Sequence, residues 1–360
     1  MRYSVLGLAV FAAILLVVMT DAEPAESGVI FMYHHVDDST PAATSVRPDE
    51  FSEQMDWLAG EGFTVLPLLE LLEGLNAGGS LPDGSVAITF DDAYSSVLAA
   101  AMPVLRERDW PFTVFVSTEA VDNDYRGYLS WDELRELGRN GATFGNHSVS
   151  HAHLVRRLND ESEADWERRI SAEISAARTR LDDELGAQTI PVFAWPYGEY
   201  TTDTKQLLGD AERYGLGQHS GASGPDSDFL ALPRYPVATG LTLDEFALRA
   251  RSRPLPVSLV GPEQHVSEPG EARPLLRLAL DNVTDVRVDE LACYASGQGR
   301  MQLEWLDDRQ TRFIVTPEEN LRAGRSKYNC TAPSRNEAGV WYWFGYLWMR
   351  QLPDGSWYAE

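Results

Sequence analysis

Basic side chains are scarce in this chain. Its 360 residues carry 30 Lys and Arg against 55 Asp and Glu, a formal charge of −25. So acidic a surface repels polyphosphate and anionic lipid, which argues against nucleic acid and anionic membranes as partners. A neutral or cationic polymer remains compatible with it. Cysteine is nearly absent: Cys293 and Cys330 are the only two, both in the last fifth of the chain. Neither has the CxxC spacing of a metal or redox site. Long apolar runs are missing apart from Val5 to Met19, which is short against the ~20 residues a spanning helix needs. No internal repeat and no low-complexity tract occurs.

Residues 1–22 read as targeting rather than fold. Arg2 is a short positive start, Val5 to Met19 is the apolar stretch, and Thr20-Asp21-Ala22 is an imperfect small-residue cleavage site. The expectation is an exported protein, periplasmic or extracellular, with a retained N-terminal anchor as the alternative. An oxidising compartment then favours a Cys293–Cys330 disulfide.

Residues 28–253 alternate strand and helix patterns. Val29 to Tyr33, Val86 to Phe90, Phe112 to Val116, Ala142 to Phe144 and Thr189 to Ala194 read as buried parallel strands. Ser130-Trp131-Asp132-Glu133 is a capping box, and Trp166, Ile170, Ile174, Ala177 and Leu181 mark one long amphipathic helix. This pattern predicts an α/β barrel-like core with its chemistry at the C-terminal ends of the strands. Beyond Pro262 the helical period fades. Residues 262–360 read as a small β-sandwich, with strands expected at 275–280, 286–291, 301–305, 312–315 and 340–349. All candidate catalytic residues precede it, so the tail is expected to take no part in the chemical step.

Two stretches carry chemistry. Thr89-Phe90-Asp91-Asp92 closes an apolar strand, and adjacent carboxylates there point in different directions. His147-Ser148-Val149-Ser150-His151 sets two imidazoles four residues apart, on one face if the turn is helical. Asp92, His147 and His151 together leave coordination positions open on a divalent metal, the arrangement of a catalytic rather than a closed structural site. Asp91 is then free to act as a general base on water. Trp195-Pro196-Tyr197-Gly198 follows another strand. It offers a groove wall for a sugar ring and, near Tyr197, a backbone N–H for an oxyanion. His34 stands at the mouth of the first strand, with His35 pointing oppositely. His219 is a candidate general acid.

These residues resemble the polysaccharide deacetylase family with NodB homology, carbohydrate esterase family four, over about residues 28–250. The resemblance implies a distorted (β/α) barrel of that type with a small C-terminal β-sandwich. It implies Asp91 as base and Asp92, His147 and His151 as ligands of a metal, zinc foremost. Trp195-Pro196-Tyr197-Gly198 looks like the third motif, but Ala194 stands where the family has an Arg that orients the base; Arg234 is the candidate substitute. The family's late Leu-x-His motif, source of its general acid, is absent. Met32-Tyr33-His34-His35-Val36 looks like the branch of exported poly-N-acetylglucosamine deacetylases. The implied activity is removal of N-acetyl groups from an N-acetylated polysaccharide. The rivals are an O-acetyl esterase on another glycan and a non-catalytic carbohydrate-binding protein.

Overall fold

The computed structural model describes residues 26–358. The export signal expected in residues 1–22 lies outside them. No helix among the described residues is long and apolar enough to cross a membrane.

Eight parallel strands form the principal sheet: β1 (Val29–Tyr33), β2 (Thr64–Val65), β3 (Ser85–Phe90), β4 (Phe112–Val116), β5 (Ala142–Asn146), β6 (Thr189–Ala194), β7 (Tyr214–Leu216) and β8 (Tyr235–Pro236). Their order is β8-β1-β3-β4-β5-β6-β7, with β2 beside the start of β3. Every residue of β1, β3 and β4 is buried, as in a parallel sheet covered on both faces. Alternate residues part between two clusters. Phe31, Ile88 and Val114 pack with Phe51, Met55 and Leu58 of the helix α1 (Pro48–Gly60), while Ile30, Ala87, Phe115 and Val192 form the other. Each such burial is worth about 1.5–3 kcal/mol. Segment 229–236 bridges the two sheet edges: Leu232 N–H donates to Gly215 O at 2.8 Å, and Arg234 N–H to His219 O at 2.9 Å. The result is the distorted barrel expected from the sequence. The predicted long helix is α2 (Glu163–Leu185), and all five of its marked apolar residues are buried.

The tail is two antiparallel-type sheets. One runs β9 (Arg253–Pro254), β17 (Trp341–Arg350), β16 (Gly324–Pro333), β12 (Ala292–Ala295), β13 (Gly299–Arg300). The other runs β10 (Val257–Gly261), β11 (Leu276–Leu280), β15 (Arg312–Thr316), β14 (Gln302–Trp305). Leu278, Phe313 and Val315 of the second meet Tyr328, Cys330 and Trp348 of the first in one core. Cys293 and Cys330 face each other across β12 and β16 and are disulfide-bonded. Three details differ from the sequence expectation. The tail's sheets start at Arg253, ahead of Pro262, because the Pro-rich stretch still supplies edge strands. Residues 286–291 are a loop with a single tight turn at Val288–Glu290, and the strand follows it. The ten-residue β16 went unforeseen, since its charged residues hid the alternation.

The tail docks on the barrel at the C-terminal ends of its strands. Trp343 stands edge-on to Tyr235 at 5.4 Å between centroids. Gly345 passes so close to the 218–220 loop that an added Cβ would lie 2.1 Å from Ser220 O. Tyr358 donates a hydrogen bond to the buried Glu199 at 2.6 Å.

Candidate active site

Three strand ends meet. Beyond β3 the chain turns sharply, with φ of 73° at Asp92 and 59° at Ala93; Ser148, His151 and Tyr197 also have positive φ. Non-glycine residues avoid this region, and such strain collects where function over-determines the backbone. Residues 147–151 form a loop, not the helical turn that the i, i+4 spacing allows. Side chains hold the loop instead. Asn146 Oδ1 accepts from Ser148 N at 2.9 Å, Ser148 Oγ accepts from His151 N at 3.0 Å, and Glu173 accepts from the N–H groups of Val149 and Ser150. Just before it, Gly145 must be glycine: a Cβ there would fall 2.2 Å from the Phe115 ring and 3.0 Å from Val192 O.

The loop brings His147 and His151 to Asp92. Their Nε2 atoms lie 3.5 and 3.4 Å from Asp92 Oδ1, and one ligand atom from each residue falls within 4.8 Å of the others. His147 Nδ1 is 2.7 Å from Ala194 O, which only accepts, so Nδ1 carries the proton. That leaves Nε2 with its lone pair toward Asp92, fully buried and with no hydrogen-bond partner. A buried, unsatisfied imidazole nitrogen is costly unless something binds it. The donor set therefore fits a cation, and the backbone carbonyl that orients His147 is the kind of outer partner metal-bound histidines use. Electrostatics agree. Burial opposes charge on Asp92, yet the surrounding imidazoles outweigh it and hold the carboxyl well below its ordinary value. Burial and His147 push His151 down to about 4, leaving a neutral donor at neutral pH. Burial lowers His147 as well, but Asp92 and Asp91 more than reverse this, an attraction that a cation there would feel equally.

Asp91 stands apart from the cluster, fully buried, and is held by Arg234. The guanidinium donates from Nη1 to Oδ1 at 2.7 Å and from Nη2 to Oδ2 at 2.8 Å, while its Nε donates to Gly217 O at 2.9 Å. Burial raises the Asp91 pKa; Arg234, then His147, overcome it and leave the carboxyl below its ordinary value. Arg234 thus reaches, from the segment that closes the barrel, the carboxylate that an Arg at position 194 would serve.

The cluster opens into a cavity of about 930 Å³, walled by His34, Tyr94, Tyr128, His151 and Tyr197 of the barrel and by Arg325 and Lys327 of the tail. Two sequence candidates do not reach it. Trp195 is fully buried: its Nε1 donates to Leu230 O at 2.9 Å, and its ring packs on Phe193. Tyr197 alone of that motif forms the wall, edge-on to His151 at 4.4 Å and stacked on His153 at 3.9 Å. His219 points away as well. Gln218 and Ser220 line the cavity, while the ring between them sits against Tyr200 and near His265. Burial, with His265 and nearby cations, pushes it down to about 3, so it carries no proton to give at neutral pH. His35 stacks on Tyr94 at 3.6 Å. Tyr94 and Tyr128 went unmarked in the sequence reading, although Tyr94 follows the Asp pair by two residues. Arg325 and Lys327 bring the tail to the pocket wall; the sequence expectation concerned only its absence from the chemical step.

Fold and site together define a parallel barrel with a three-donor cation cluster and an Arg-held carboxylate at its strand ends. Residues 78–216 match the family model for polysaccharide deacetylase, the family whose motifs the sequence resembles. It is 25% identical over 264 residues to the poly-β-1,6-N-acetyl-D-glucosamine N-deacetylase of Escherichia coli, covering 62% of this chain and 38% of that one. It is 24% identical over 218 residues to YxkH of Bacillus subtilis, covering 60% and 74%. Among solved structures, IcaB from Ammonifex degensii superposes with a TM-score of 0.55 at 25% identity, covering 63% of this chain and 98% of that one. In each comparison roughly two-fifths of the chain lies outside the similarity.

Proposed function

We propose that this protein is an exported, metal-dependent hydrolase that removes N-acetyl groups from an N-acetylglucosamine-containing polysaccharide. The observation that carries the reading is the ionised, Arg234-clamped Asp91 beside the Asp92–His147–His151 cluster. Asp92, His147 and His151 would hold a divalent ion; Zn²⁺ suits two imidazoles and a carboxylate. Such an ion supplies Lewis acidity and eases deprotonation of water. Asp91 takes the proton from the attacking water, and Arg234 keeps Asp91 aimed and anionic until then. The Tyr197 backbone, in the turn beside His151, is proposed to meet the developing oxyanion. His34 and the Tyr197 ring offer surfaces for the sugar. Water adds to the acetamide carbonyl, the C–N bond breaks, and acetate and a free amino sugar leave. The names of its relatives favour a β-1,6-linked polymer.

Acetate release from β-1,6-linked N-acetylglucosamine oligomers, chitin oligomers, peptidoglycan and acetylated xylan tests this. The reading expects the first to lead. Release from acetylated xylan alone would make the protein an O-acetyl esterase instead.

A further inference from the structure

We propose that Lys327, presented by the tail, makes the cavity a binding site for an acidic group on the polysaccharide: a carboxylate carried by a sugar neighbouring the one that is deacetylated. This rests on the deacetylase reading and adds to it a substrate class, an N-acetylglucosamine polymer with acidic groups spaced along it.

Lys327 is one of two lysines in the chain, and the other, Lys205, is ion-paired with Asp228. It lies on β16 between Ser326 and Tyr328, which are buried in the tail; Arg325 and Asn329 share its face. That face meets the barrel, since Asn329 Oδ1 accepts from Trp343 Nε1 at 3.1 Å and Trp343 packs on Tyr235. The side chain lines the cavity together with Arg249 and Arg325. The guanidiniums nearby are all engaged. Arg234 clamps Asp91, Arg249 donates to Pro236 O at 2.9 Å, and Arg325 donates to Tyr197 O at 3.4 Å and lies over its ring at 5.0 Å. The Lys327 ammonium, by contrast, has no hydrogen bond or ion pair among the described residues, although Asp92, Glu119 and Glu245 line the same cavity. Asp92 faces the two histidines, and Glu245 accepts from Thr242 N and Oγ1, at 3.0 Å each. The charges acting on Lys327 are those of Arg325, Arg249 and Arg234, all of its own sign. Burial first, then these guanidiniums, lower its amine to about 8, so it is still mostly charged at neutral pH. A partly buried ammonium among guanidiniums is costly unless an anion arrives to share its charge. Lys327 also acts on His219, whose neighbours Gln218 and Ser220 line the cavity, but it is not among the main influences on Asp92, His147 or His151. The anion is therefore placed over the 218–220 loop, beside the reacting unit rather than on it. The chain's net charge of −25 still disfavours a dense polyanion, so the acidic groups belong at intervals on an otherwise neutral polymer.

A length series of β-1,6-linked N-acetylglucosamine oligomers tests this, with the reducing-end sugar either oxidised to the aldonic acid or reduced to the alditol. Members of a pair differ by one carboxylate, and the series moves that carboxylate along the cavity. Full-length, metal-loaded wild type, Lys327→Met and Lys327→Arg are compared by acetate release and by calorimetric binding. At the length that seats the carboxylate at Lys327, wild type should prefer the aldonate by about ten- to hundredfold in kcat/KM, the worth of a hydrogen bond to a charged group, with the difference in KM. The aldonate-to-alditol ratio should fall to about one in Lys327→Met, stay above one in Lys327→Arg, and shrink with added salt. Each ratio compares two substrates on one protein, so a partly misfolded variant does not mimic the result. Millimolar free acetate or inorganic phosphate, at constant ionic strength, should leave the preference in place; its loss would give the site to a free anion and overturn the proposal. Equal rates on acid and alditol at every length, or a preference that survives in Lys327→Met, would also overturn it while leaving the deacetylase reading standing. Tighter binding of the aldonate that Lys327→Met abolishes, with no acetate released by wild type, would keep the anion site and sink the deacetylase reading.

Discussion

The barrel and the tail place polar groups in opposite ways. In the barrel, Asp91, Asp92, His147 and Tyr197 follow strand ends, where the chain leaves the sheet and can take the left-handed turns seen at Asp92, Ser148 and Tyr197. Each group is fixed by chain-local geometry. In the tail, Arg325 and Lys327 lie within a regular strand and gain their position only because a whole sheet face docks on the barrel. A parallel sheet buried on both faces has little but its ends to offer a ligand. An antiparallel sheet with one free face can lend that face to a neighbour.

The sharpest way to break this comparison is at Asp91. Asp91→Asn should retain bound metal and lose about 10²–10⁴-fold in acetate release, since only proton transfer is removed. Metal analysis and turnover on one sample check it; near-native turnover would move the base elsewhere. Next is Arg234. Arg234→Met strands a buried carboxylate, so urea titration should show about 3–5 kcal/mol lost, together with activity. The tail's Arg287–Glu290 pair, exposed and three residues apart, should cost about 0–1 kcal/mol when broken.

The disulfide tests the tail in turn. Cys293 and Cys330 enclose a 37-residue separation, worth about 3–4 kcal/mol on the chain-entropy model. Cys293→Ser/Cys330→Ser should lower the stability of the tail by that order. Thiol titration of the denatured, unreduced wild type should find no free cysteine.

A pH-dependent effect concerns Glu212, buried beneath Asn146, whose Nδ2 donates to it at 2.8 Å. Burial raises its pKa to about 7 from an ordinary 4.5. A raised folded pKa means that the folded form binds the extra proton, so stability is present below about 4.5 and is lost as pH rises through about 7. Glu212→Gln should escape this loss. Its advantage over wild type should grow across that window to on the order of 2–3 kcal/mol, read from melts at pH 5 and pH 8.

Motifs that are contiguous in sequence were legible because their geometry is local. The apolar run of β3 predicts a buried strand, and the acids at its end must then stand at the sheet's rim. The histidine pair was legible as a cluster on a strand-end loop, but spacing alone does not reveal that Asn146, Ser148 and Glu173 satisfy its backbone. Arg234 was a candidate from family logic, and its aim at Asp91 depends on how segment 229–236 closes the barrel. Trp195 and His219 misled because a residue after a strand can turn either into the cavity or under it; the periodicity of so short a segment does not decide. Lys327 gave no signal at all. In sequence it is a charged residue on a solvated strand face, and only the docking of β16 and β17 against the 218–220 loop turns that face inward.

Asp92, His147 and His151 are proposed to hold the ion on which deacetylation depends. This assignment is tested by stripping the full-length protein with a chelator and titrating Zn²⁺ back while following acetate release from β-1,6-linked N-acetylglucosamine oligomers, in wild type and in His147→Ala. Activity should disappear on stripping and return at one equivalent in wild type, with neither tight binding nor recovery in His147→Ala. Full acetate release from the stripped protein, or one-equivalent recovery in His147→Ala, would contradict it.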